Sequence, residues 1–322
     1  MRRVPLRCMI LMLQRIRRGK RVRKEEIPVS TEENKALVRR AFEEGWNTGN
    51  LDLFDETTAP EYVLHDPSVP EEVRGVEGVK RFASMYLRAF PDLRFTIEDQ
   101  LAEGDKVATR WTSSATHQGE LMGIPPTANQ TGVSGIIISR VSEGKLVEDW
   151  NIWDTLGLMR QLGAVPEPGG ESMEHSHWVG EGERRSPMST EEHKALSNRV
   201  AEAIGKGDLN ALDEHMAPEL AEEFKREIAE IRRAFPDYAG TNVGQIAEAE
   251  KVANRFVFLG THLGEFEGVA PTGKRVEFIG HSIDRVADGK IVESRIEVDM
   301  LGVMQQLGAV PEPGQSEKAS FT

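Results

Sequence analysis

Two kinds of hydrophobic spacing succeed each other along the first half of the chain. Near position 40, apolar residues recur at helical spacing, which predicts an amphipathic helix. They are Ala36, Leu37, Ala41 and Phe42. Ser30 precedes this stripe and Glu33 follows Ser30 by three positions, which is the pattern of an N-terminal capping box. A short helix is predicted over residues 51–57 and a third over 76–90, which Pro91 would end.

Beyond Pro91 the apolar positions alternate and β-branched residues become frequent, which indicates strands. The predicted strands cover residues 93–98, 106–117, 133–141 and 146–153. A closing helix over 156–162 follows the last strand. Helices followed by a meander of strands predict an α+β fold, in which N-terminal helices pack on a curved antiparallel sheet. Such a cone leaves an apolar opening at one end, a natural pocket for a small molecule.

This pattern occurs twice, because three segments of the first half recur in the second. The pairs are 30–37 with 189–196, 89–92 with 234–237, and 140–169 with 285–314. In the last pair 19 of 30 positions are identical without a gap, which indicates a tandem duplication. The offset between the copies falls from 159 to 145, so the second copy lacks 14 residues, nearly all between Pro218 and Phe235. The missing residues correspond to the stretch around 62–67 of the first copy.

The repeat divides the chain into five parts. Residues 29–168 form domain 1, and residues 189–314 form domain 2, a shortened and degenerate copy of the same cone-shaped domain. A basic N-terminal extension, 1–28, is expected to be disordered or to form a short amphipathic helix. Gly, Glu, Ser and Pro dominate the linker 169–188, and a similar tail covers 315–322.

The composition of the chain limits the kinds of partner and the cellular compartment that we expect for it. The formal net charge of −13 and the pI of about 5.2 argue against a nucleic-acid partner, which would need clustered basic residues. The single cysteine, Cys8, allows neither a disulfide within the chain nor a cysteine zinc site. His175 and His177 in the linker lack a third ligand, so no metal site is expected. The apolar run 8–13 is too short to cross a membrane, and we expect a cytoplasmic protein without integral membrane association.

Two stretches resemble the signatures of one family. The stretch 117–127, HQGELMGIPPT, resembles the His-x-Gly…Gly-x-Pro-Pro-Thr signature of SnoaL-like proteins. The stretch 143–163 looks like the last strand and closing helix of that family. The resemblance covers nearly all of domain 1 and, more loosely, domain 2. It implies the cone-shaped α+β fold of the SnoaL-like polyketide cyclases, or ester cyclases, within the nuclear-transport-factor-2-like folds.

The resemblance also implies a reaction and its residues. Family members of known activity close a polyketide ring by intramolecular aldol condensation, without a metal or an organic cofactor. An Asp near the end of the last strand acts as general acid/base, and a His helps to place the substrate. The matching residues here are Asp154 and His117, and His65 matches a further polar position after the first helices. No cofactor is therefore expected.

Alternation along the last strand separates two faces. One face carries Glu148, Trp150, Ile152 and Asp154, and the opposite face carries Asp149, Asn151 and Trp153. Trp111 and His117 share a face of a long strand that we expect to be its neighbour. These positions predict an apolar acid/base pocket in which Asp154 and His117 are catalytic. The expected substrate contacts are His65, Trp111, Trp150 and Glu148.

Each of these assignments has a structural alternative. Asp154 fits the N-cap of the closing helix, because Asp is favoured at that position. His117 fits a polar residue at a strand end, and the tryptophans fit core positions. Asp149 is expected to face solvent.

Comparison of the two copies favours domain 1 as the functional one. Domain 2 keeps counterparts of the predicted catalytic pair, His262 and Asp299. It lacks the segment that holds His65 and has Arg295 in place of Trp150. The retained pair also fits a purely structural role. Because single-copy relatives usually associate through sheet faces, an intramolecular pseudo-dimer or a homodimer is expected.

Three functions remain open. The first is cofactor-free acid/base chemistry in domain 1, an aldol-type cyclisation or isomerisation of a small apolar carbonyl compound. The second is a non-catalytic module that binds a small apolar ligand, with domain 2 as a scaffold. The third is an epoxide-type hydrolase, in which Arg110 and Asp149 would help to hold a water molecule.

Overall fold

The computed structural model describes residues 30–69, 71–166 and 188–311 of the 322-residue chain. These ranges contain two domains with one sheet each. The predicted N-terminal extension with its cysteine, the two linker histidines, most of the linker and the tail fall outside the described residues. No helix within the described ranges is long and apolar enough to span a membrane.

Domain 1 begins with a helix whose start is set by a capping box. Helix α1 covers Thr31–Arg40 and continues as a π-helical turn, Ala41–Trp46. The Glu33 backbone N–H donates to Oγ of Ser30 over 3.1 Å, and the Ser30 N–H donates to the Glu33 carboxylate over 2.9 Å. The predicted capping box is therefore confirmed. Helix α2, Leu53–Thr57, is the predicted short helix with a slightly later start.

A strand that the sequence analysis did not predict follows directly. Strand β1, Thr58–His65, pairs in parallel with the last strand of the domain. A short strand β2, Val73–Arg74, pairs with the other edge of β1, and helix α3, Gly75–Ala89, follows. The sheet is therefore mixed rather than wholly antiparallel. A parallel partner far away in the sequence leaves no hairpin turn by which it could be recognised.

The other four strands form the predicted antiparallel meander. They are β3, Arg94–Glu103; β4, Lys106–Thr116; β5, Gln130–Ser142; and β6, Lys145–Trp153. Helix α4, Thr155–Gln161, closes the domain as predicted. The strand order is β2-β1-β6-β5-β4-β3. Strand β5 thus separates β4 from β6, whereas the sequence predicts that these two strands are neighbours.

Domain 2 repeats this plan without counterparts of β1 and β2. Its helices are α5, Thr190–Lys206; α6, Leu212–His215; α7, Pro218–Ala234; and α8, Met300–Leu307, with a 3₁₀ turn at Leu209–Ala211. Its strands are β7, Ala239–Glu248; β8, Lys251–Thr261; β9, Arg275–Ala287; and β10, Lys290–Val298, in the order β10-β9-β8-β7. A parallel bridge from Met216 to Ile291 lies where β1 pairs with β6 in domain 1. The 14-residue gap therefore falls on the two missing strands.

The two sheets pack against each other through the faces that point away from their helices. Buried aliphatic side chains of both sheets form one cluster, which comprises Leu101, Ala108, Ile136, Ile138, Ile246, Ala253 and Ile283. Each sheet is thus covered by its own helices on one face and by the other sheet on the second face. Within one chain this is the sheet-face contact expected of a pseudo-dimer.

Ion pairs at the edge of this contact follow a pseudo-two-fold symmetry. Lys35 bonds to Glu248 over 2.9 Å, and Lys194 bonds to Glu103 over 2.6 Å. Lys194 is the domain 2 counterpart of Lys35, and Glu248 is the counterpart of Glu103. Each pair therefore repeats the other with the domains exchanged, as in the self-complementary interface of a two-fold dimer.

His281 lies near the pseudo-two-fold axis, against its own counterpart Ile136. Nδ1 of His281 donates to the backbone carbonyl of Ile136 over 2.8 Å. Burial lowers the pKa of His281 to about 4, and the bond to Ile136 only partly offsets this. The imidazole is therefore uncharged at neutral pH and packs as a core residue.

We expect His281 to make folding sensitive to acid. The unfolded chain takes up this proton near pH 6.5, whereas the folded chain resists it until about pH 4. The contribution to stability is present at higher pH and is lost as pH falls through this window, by at most about 3 kcal/mol. His281→Ile, which copies Ile136, should lose less stability between about pH 7 and about pH 4.5 in denaturant unfolding. Equal losses in the two proteins would contradict the assignment.

Candidate functional site

A cavity of about 120 Å³ lies between the concave face of the domain 1 sheet and its helices. Aromatic side chains make much of its wall, among them Phe42, Trp46, Phe82, Phe90, Phe95 and Trp111. Polar side chains that border it include Tyr62, Asp66, Tyr86, Ser139, Asp149 and Asn151. An apolar pocket with a small set of convergent polar groups is typical of a small-molecule site.

Asp149 enters this cavity from the middle of β6 and is only 5% exposed. Its Oδ2 accepts a hydrogen bond of 2.6 Å from the Tyr62 hydroxyl. Its Oδ1 has no hydrogen-bond partner within the described part of the chain. Burial raises the pKa of Asp149 to about 6, although the Tyr62 hydroxyl and the hydroxyl of Ser139, which stands opposite on β5 but makes no hydrogen bond to Oδ1, act to lower it. The cavity therefore holds a carboxylate with one oxygen unengaged and with enhanced basicity.

The prediction that Asp149 faces solvent is wrong. One face of β6 points into the cavity and the other packs towards domain 2, so neither face is open to water. Alternation had grouped Asp149 correctly with Asn151 and Trp153. It did not show that this group lies on the concave face.

A second carboxylate, Asp66, borders the same cavity but is fully engaged. It accepts hydrogen bonds from Nδ2 of Asn151 over 2.8 Å, from Nε1 of Trp153 over 3.2 Å and from the Ser68 backbone N–H over 2.9 Å. The Ser68 hydroxyl also donates to Asp66 and accepts from Tyr86. Because both carboxylate oxygens already accept from the protein, Asp66 holds its neighbours in place rather than offering a free base.

Three of the predicted substrate contacts lie together outside the cavity. Nε2 of His65 is 3.1 Å from Oε1 of Glu148, and the His65 ring stacks on Trp150 with 5.7 Å between centroids. Arg255 of domain 2 lies over the Trp150 ring at 5.2 Å. The expectation that these three residues line the pocket therefore differs from the structure, because Glu148 and Trp150 lie on the face of β6 that points towards domain 2, and His65 of β1 pairs with Trp150.

Trp111 is the predicted substrate contact that does line the cavity. It enters from β4, is 4% exposed and packs edge-on against Phe95 with 5.1 Å between ring centroids. Its indole Nε1 has no hydrogen-bond partner among the described residues. A buried N–H of this kind is a donor that a ligand acceptor can satisfy.

The two predicted histidines, His117 and His262, occupy equivalent buried positions in the two domains. In each, Nδ1 accepts a hydrogen bond of 3.2 Å from a backbone N–H, that of Thr127 or of Thr272. Burial lowers the pKa of both histidines, so each ring is neutral with its proton on Nε2. His117 does not border the cavity of domain 1. The repeated geometry favours the alternative in which these residues organise the loop after β4 or β8.

The two predicted acids, Asp154 and Asp299, cap the closing helices. Oδ1 of Asp154 accepts from the Gly157 N–H over 2.7 Å, and Oδ1 of Asp299 accepts from the Gly302 N–H over 2.8 Å. The alternative interpretation of Asp154 as a helix N-cap is thereby confirmed. Asp154 borders a cavity of domain 2 rather than the cavity of domain 1.

Family comparison agrees with the two-domain fold. The model of the SnoaL-like polyketide cyclases matches residues 36–162 and 194–307, one region in each domain and together more than half of the chain. The chain belongs to the SnoaL-like polyketide cyclase family. Both domains are therefore SnoaL-like, including the one that lacks two strands.

Two curated relatives and one solved structure each match less than half of this SnoaL-like protein. An aklanonic acid methyl ester cyclase of Streptomyces peucetius is 33% identical over 142 residues, which are 42% of this chain and 94% of that protein. A nogalonic acid methyl ester cyclase of Streptomyces nogalater is 32% identical over 124 residues, 37% of this chain and 89% of that protein. The solved structure of TsrD from Streptomyces laurentii is 31% identical, covers 42% of this chain and 99% of its own, and has a TM-score of 0.39.

The SnoaL-like signatures drew attention to residues that both domains share. The polar residues of the domain 1 cavity are instead those in which the domains differ. Ser294 of domain 2 replaces Asp149, and domain 2 lacks the strand that carries Tyr62. Asp66 belongs to the same missing segment. The difference between the two copies was the signal by which these residues could have been found.

We expect Asp154→Ala and Asp299→Ala to destabilise the protein by similar amounts, about 1 kcal/mol each, because each removes a helix cap. Urea unfolding measures the loss. Asp154→Ser is the matched control, since it keeps a capping oxygen and should retain most of the stability. Wild-type stability in Asp154→Ala would show that the cap contributes nothing.

Proposed function

We propose that domain 1 carries out cofactor-free acid/base chemistry of the ester cyclase type on a small, neutral, apolar carbonyl compound, with Asp149 as the base. The observation that carries this proposal is Oδ1 of Asp149, a buried carboxylate oxygen without a hydrogen-bond partner among the described residues. Burial deprives a carboxylate of hydration, so it accepts a proton from carbon more readily than an exposed Asp does.

This proposal moves the general-base role from Asp154 to Asp149. Oδ1 of Asp154 accepts the hydrogen bond that caps α4, and Asp154 borders the cavity of domain 2. Nδ1 of His117 accepts a hydrogen bond from the Thr127 N–H in the loop after β4, so His117 keeps a structural role. Both functional assignments had been drawn from the family resemblance, whereas Asp149 is assigned from its place in the cavity.

The reaction balances without any further reactant. Oδ1 of Asp149 removes a proton from a carbon next to a carbonyl group, and an enolate forms. The enolate carbon attacks a second carbonyl carbon of the same molecule, so a carbon–carbon bond closes the ring. The resulting alkoxide takes the proton back from Asp149. The product is an isomer of the substrate, and the carboxylate is restored.

Two aromatic residues assist this sequence in different ways. Tyr62 donates to Oδ2 of Asp149 and thereby leaves Oδ1 for the substrate. Burial and the neighbouring Asp149 raise the pKa of Tyr62, so its hydroxyl stays a proton donor. Trp111 offers its unengaged indole N–H to the carbonyl oxygen on which negative charge develops.

The charge of the cavity favours an uncharged substrate. Asp149 and Asp66 both border it, and its described wall contains no Lys or Arg. An anionic ligand would be desolvated beside two carboxyl groups and repelled by them. Esterification removes that charge. Because two relatives are named for methyl esters, we extend this class to the present chain and propose a methyl ester of an apolar polyketide acid as substrate.

Asp149→Asn should reduce turnover of such a substrate by about 10²-fold to 10⁴-fold, because an amide cannot accept the proton. Aklanonic acid methyl ester and nogalonic acid methyl ester are the test compounds, and product formation is followed by mass-resolved chromatography. Asp154→Asn is the matched control and should keep turnover within a few-fold. The opposite ranking of the two variants would return the role of base to Asp154. Lack of turnover of both esters by the wild type would reject the proposed substrate class.

Activity should also require an ionised group with a pKa of about 6. Because the base must be deprotonated, kcat/KM is expected to fall about tenfold per pH unit on the acid side of that value. Tyr62→Phe removes an interaction that lowers the pKa of Asp149, so the acid limb should move to higher pH. Tyr86→Phe is the control, since that hydroxyl bonds to Ser68 instead. An acid limb near pH 4 that Tyr62→Phe leaves in place would exclude Asp149 as the base.

A further inference from the structure

Domain 2 has a cavity of its own, of about 190 Å³, between its helices α5 and α7 and the concave face of its sheet. Its wall is mainly apolar and includes Val200, Phe224, Ile228 and Phe258. Leu156 and Arg160 of helix α4 complete the wall from domain 1. The loss of two strands has therefore not closed the second cone, because α7 and the closing helix of domain 1 enclose it.

In domain 2 the buried carboxylate lies on β9, the strand next to the one that would correspond to β6 of domain 1. In domain 1, Asp149 on β6 stands opposite Ser139 on β5. In domain 2, Ser294 on β10 stands opposite Asp284 on β9. The two cross-strand pairs occupy equivalent positions with their residues exchanged. Both cavities thus place one carboxylate and one hydroxyl at the same depth of the cone.

Unlike Asp149, Asp284 is saturated with donors from the protein. Oδ2 accepts from the Ser197 hydroxyl over 3.0 Å and from Nδ2 of Asn254 over 2.8 Å. Oδ1 accepts from the Ser294 hydroxyl over 2.7 Å. Because both oxygens are already engaged, Asp284 has little capacity left to take a proton from a ligand. Asp284 therefore does not offer the unengaged carboxylate oxygen that Asp149 offers in the first cavity.

The second cavity gains a donor that the first lacks at the equivalent place. Tyr238 stands where domain 1 has Leu93, and its side chain borders the cavity. Burial raises the pKa of Tyr238, so its hydroxyl stays a proton donor, and its ring stacks on Phe258 with 4.9 Å between centroids. A rigid phenol in an apolar wall is suited to donate to one acceptor on an otherwise apolar ligand.

The charges around the cavity select against an anion. Four carboxylates border it, those of Asp154, Glu227, Glu267 and Asp284, and the one Arg in its described wall, Arg160, is paired with Glu267 over 3.1 Å. An anionic ligand would have to break that pair and would be repelled by the carboxylates. An uncharged molecule meets neither obstacle.

We propose that the cavity of domain 2 is a second ligand site, which holds an uncharged apolar carbonyl compound through the Tyr238 hydroxyl and does not convert it. The carbonyl oxygen accepts from Tyr238, and the hydrocarbon part packs on the apolar wall. The site is composite, since Leu156 and Arg160 of domain 1 close it. Binding in domain 2 does not depend on catalysis in domain 1. The proposed ligand site and the proposed reaction can therefore be tested independently.

The test uses the full chain and the uncharged aromatic ketone 6-propionyl-2-dimethylaminonaphthalene, whose emission moves to shorter wavelength in apolar surroundings. Wild type is expected to bind two molecules per chain. Val200→Phe fills the domain 2 cavity and Ala41→Phe, at the equivalent position, fills the domain 1 cavity. Each variant should bind one molecule, and circular dichroism confirms that each is folded. One site in the wild type that survives in Val200→Phe would overturn the proposal.

A conservative variant tests the donor without filling any space. In the Ala41→Phe background, Tyr238→Phe should weaken binding of the ketone about threefold to tenfold, because one hydrogen bond is lost. Tyr86→Phe in the same background alters the other cavity and should have no effect. Unchanged affinity in the Tyr238→Phe variant would overturn the assigned contact. Asp149→Asn should leave binding in domain 2 unchanged even if it abolishes turnover, which keeps this outcome separate from that of the proposed function.

Discussion

Burial of the domain 1 sheet on both faces is the constraint on which the rest of the structure depends. Its concave face encloses a cavity, and its other face packs on the sheet of domain 2. A side chain on β6 therefore points either into the cavity or into the contact with domain 2. Successive residues of the strand alternate between these two sides. Asp149 enters the cavity, where burial raises its pKa. Its neighbour Glu148 points the other way; partial burial opposes its ionisation, but Arg140 and His65 hold its pKa below the usual value.

The chain contains several buried or half-buried aspartates, and their hydrogen bonds decide what each can do. An unpaired carboxylate in an apolar interior is costly, so most are supplied with donors. Asp66 and Asp284 receive donors on both oxygens, and Asp154 receives the N–H of Gly157 at the start of a helix. Asp149 departs from this pattern because Oδ1 is left without a partner among the described residues. A cost of this kind is tolerated where a ligand supplies the missing contact, which is why the cavity of domain 1 is the better candidate for chemistry.

Much of this fold could be predicted from the sequence because its signals are local. The capping box at Ser30, the closing helix and the tandem repeat depend on spacings of a few residues or on direct self-similarity, and all are present in the structure. Strand β1 could not be predicted in the same way, since its partner β6 lies more than 80 residues further on and pairs in parallel.

The residues of the candidate site were harder to predict than the fold. Alternation separates the faces of β6, but when both faces are buried the hydrophobic pattern does not show which one is concave. The family signatures added His117 and Asp154, which the structure places in a loop and at a helix cap.

Duplication within one chain accounts for a contact between the domains that keeps paired interactions while the two cavities differ. The ion pairs of Lys35 and Lys194 repeat each other across the pseudo-two-fold axis, so each copy still presents the surface that the other requires. A residue of this surface meets a counterpart in the same molecule, and a change on one side needs a matching change on the other. The cavities carry no such mutual requirement. Domain 2 has lost β1 and β2 and has moved its carboxylate from the position of Asp149 to Asp284, yet its sheet still packs on domain 1. Because the contact depends on other residues than the cavities do, the two cavities differ in their polar side chains while the sheets remain packed.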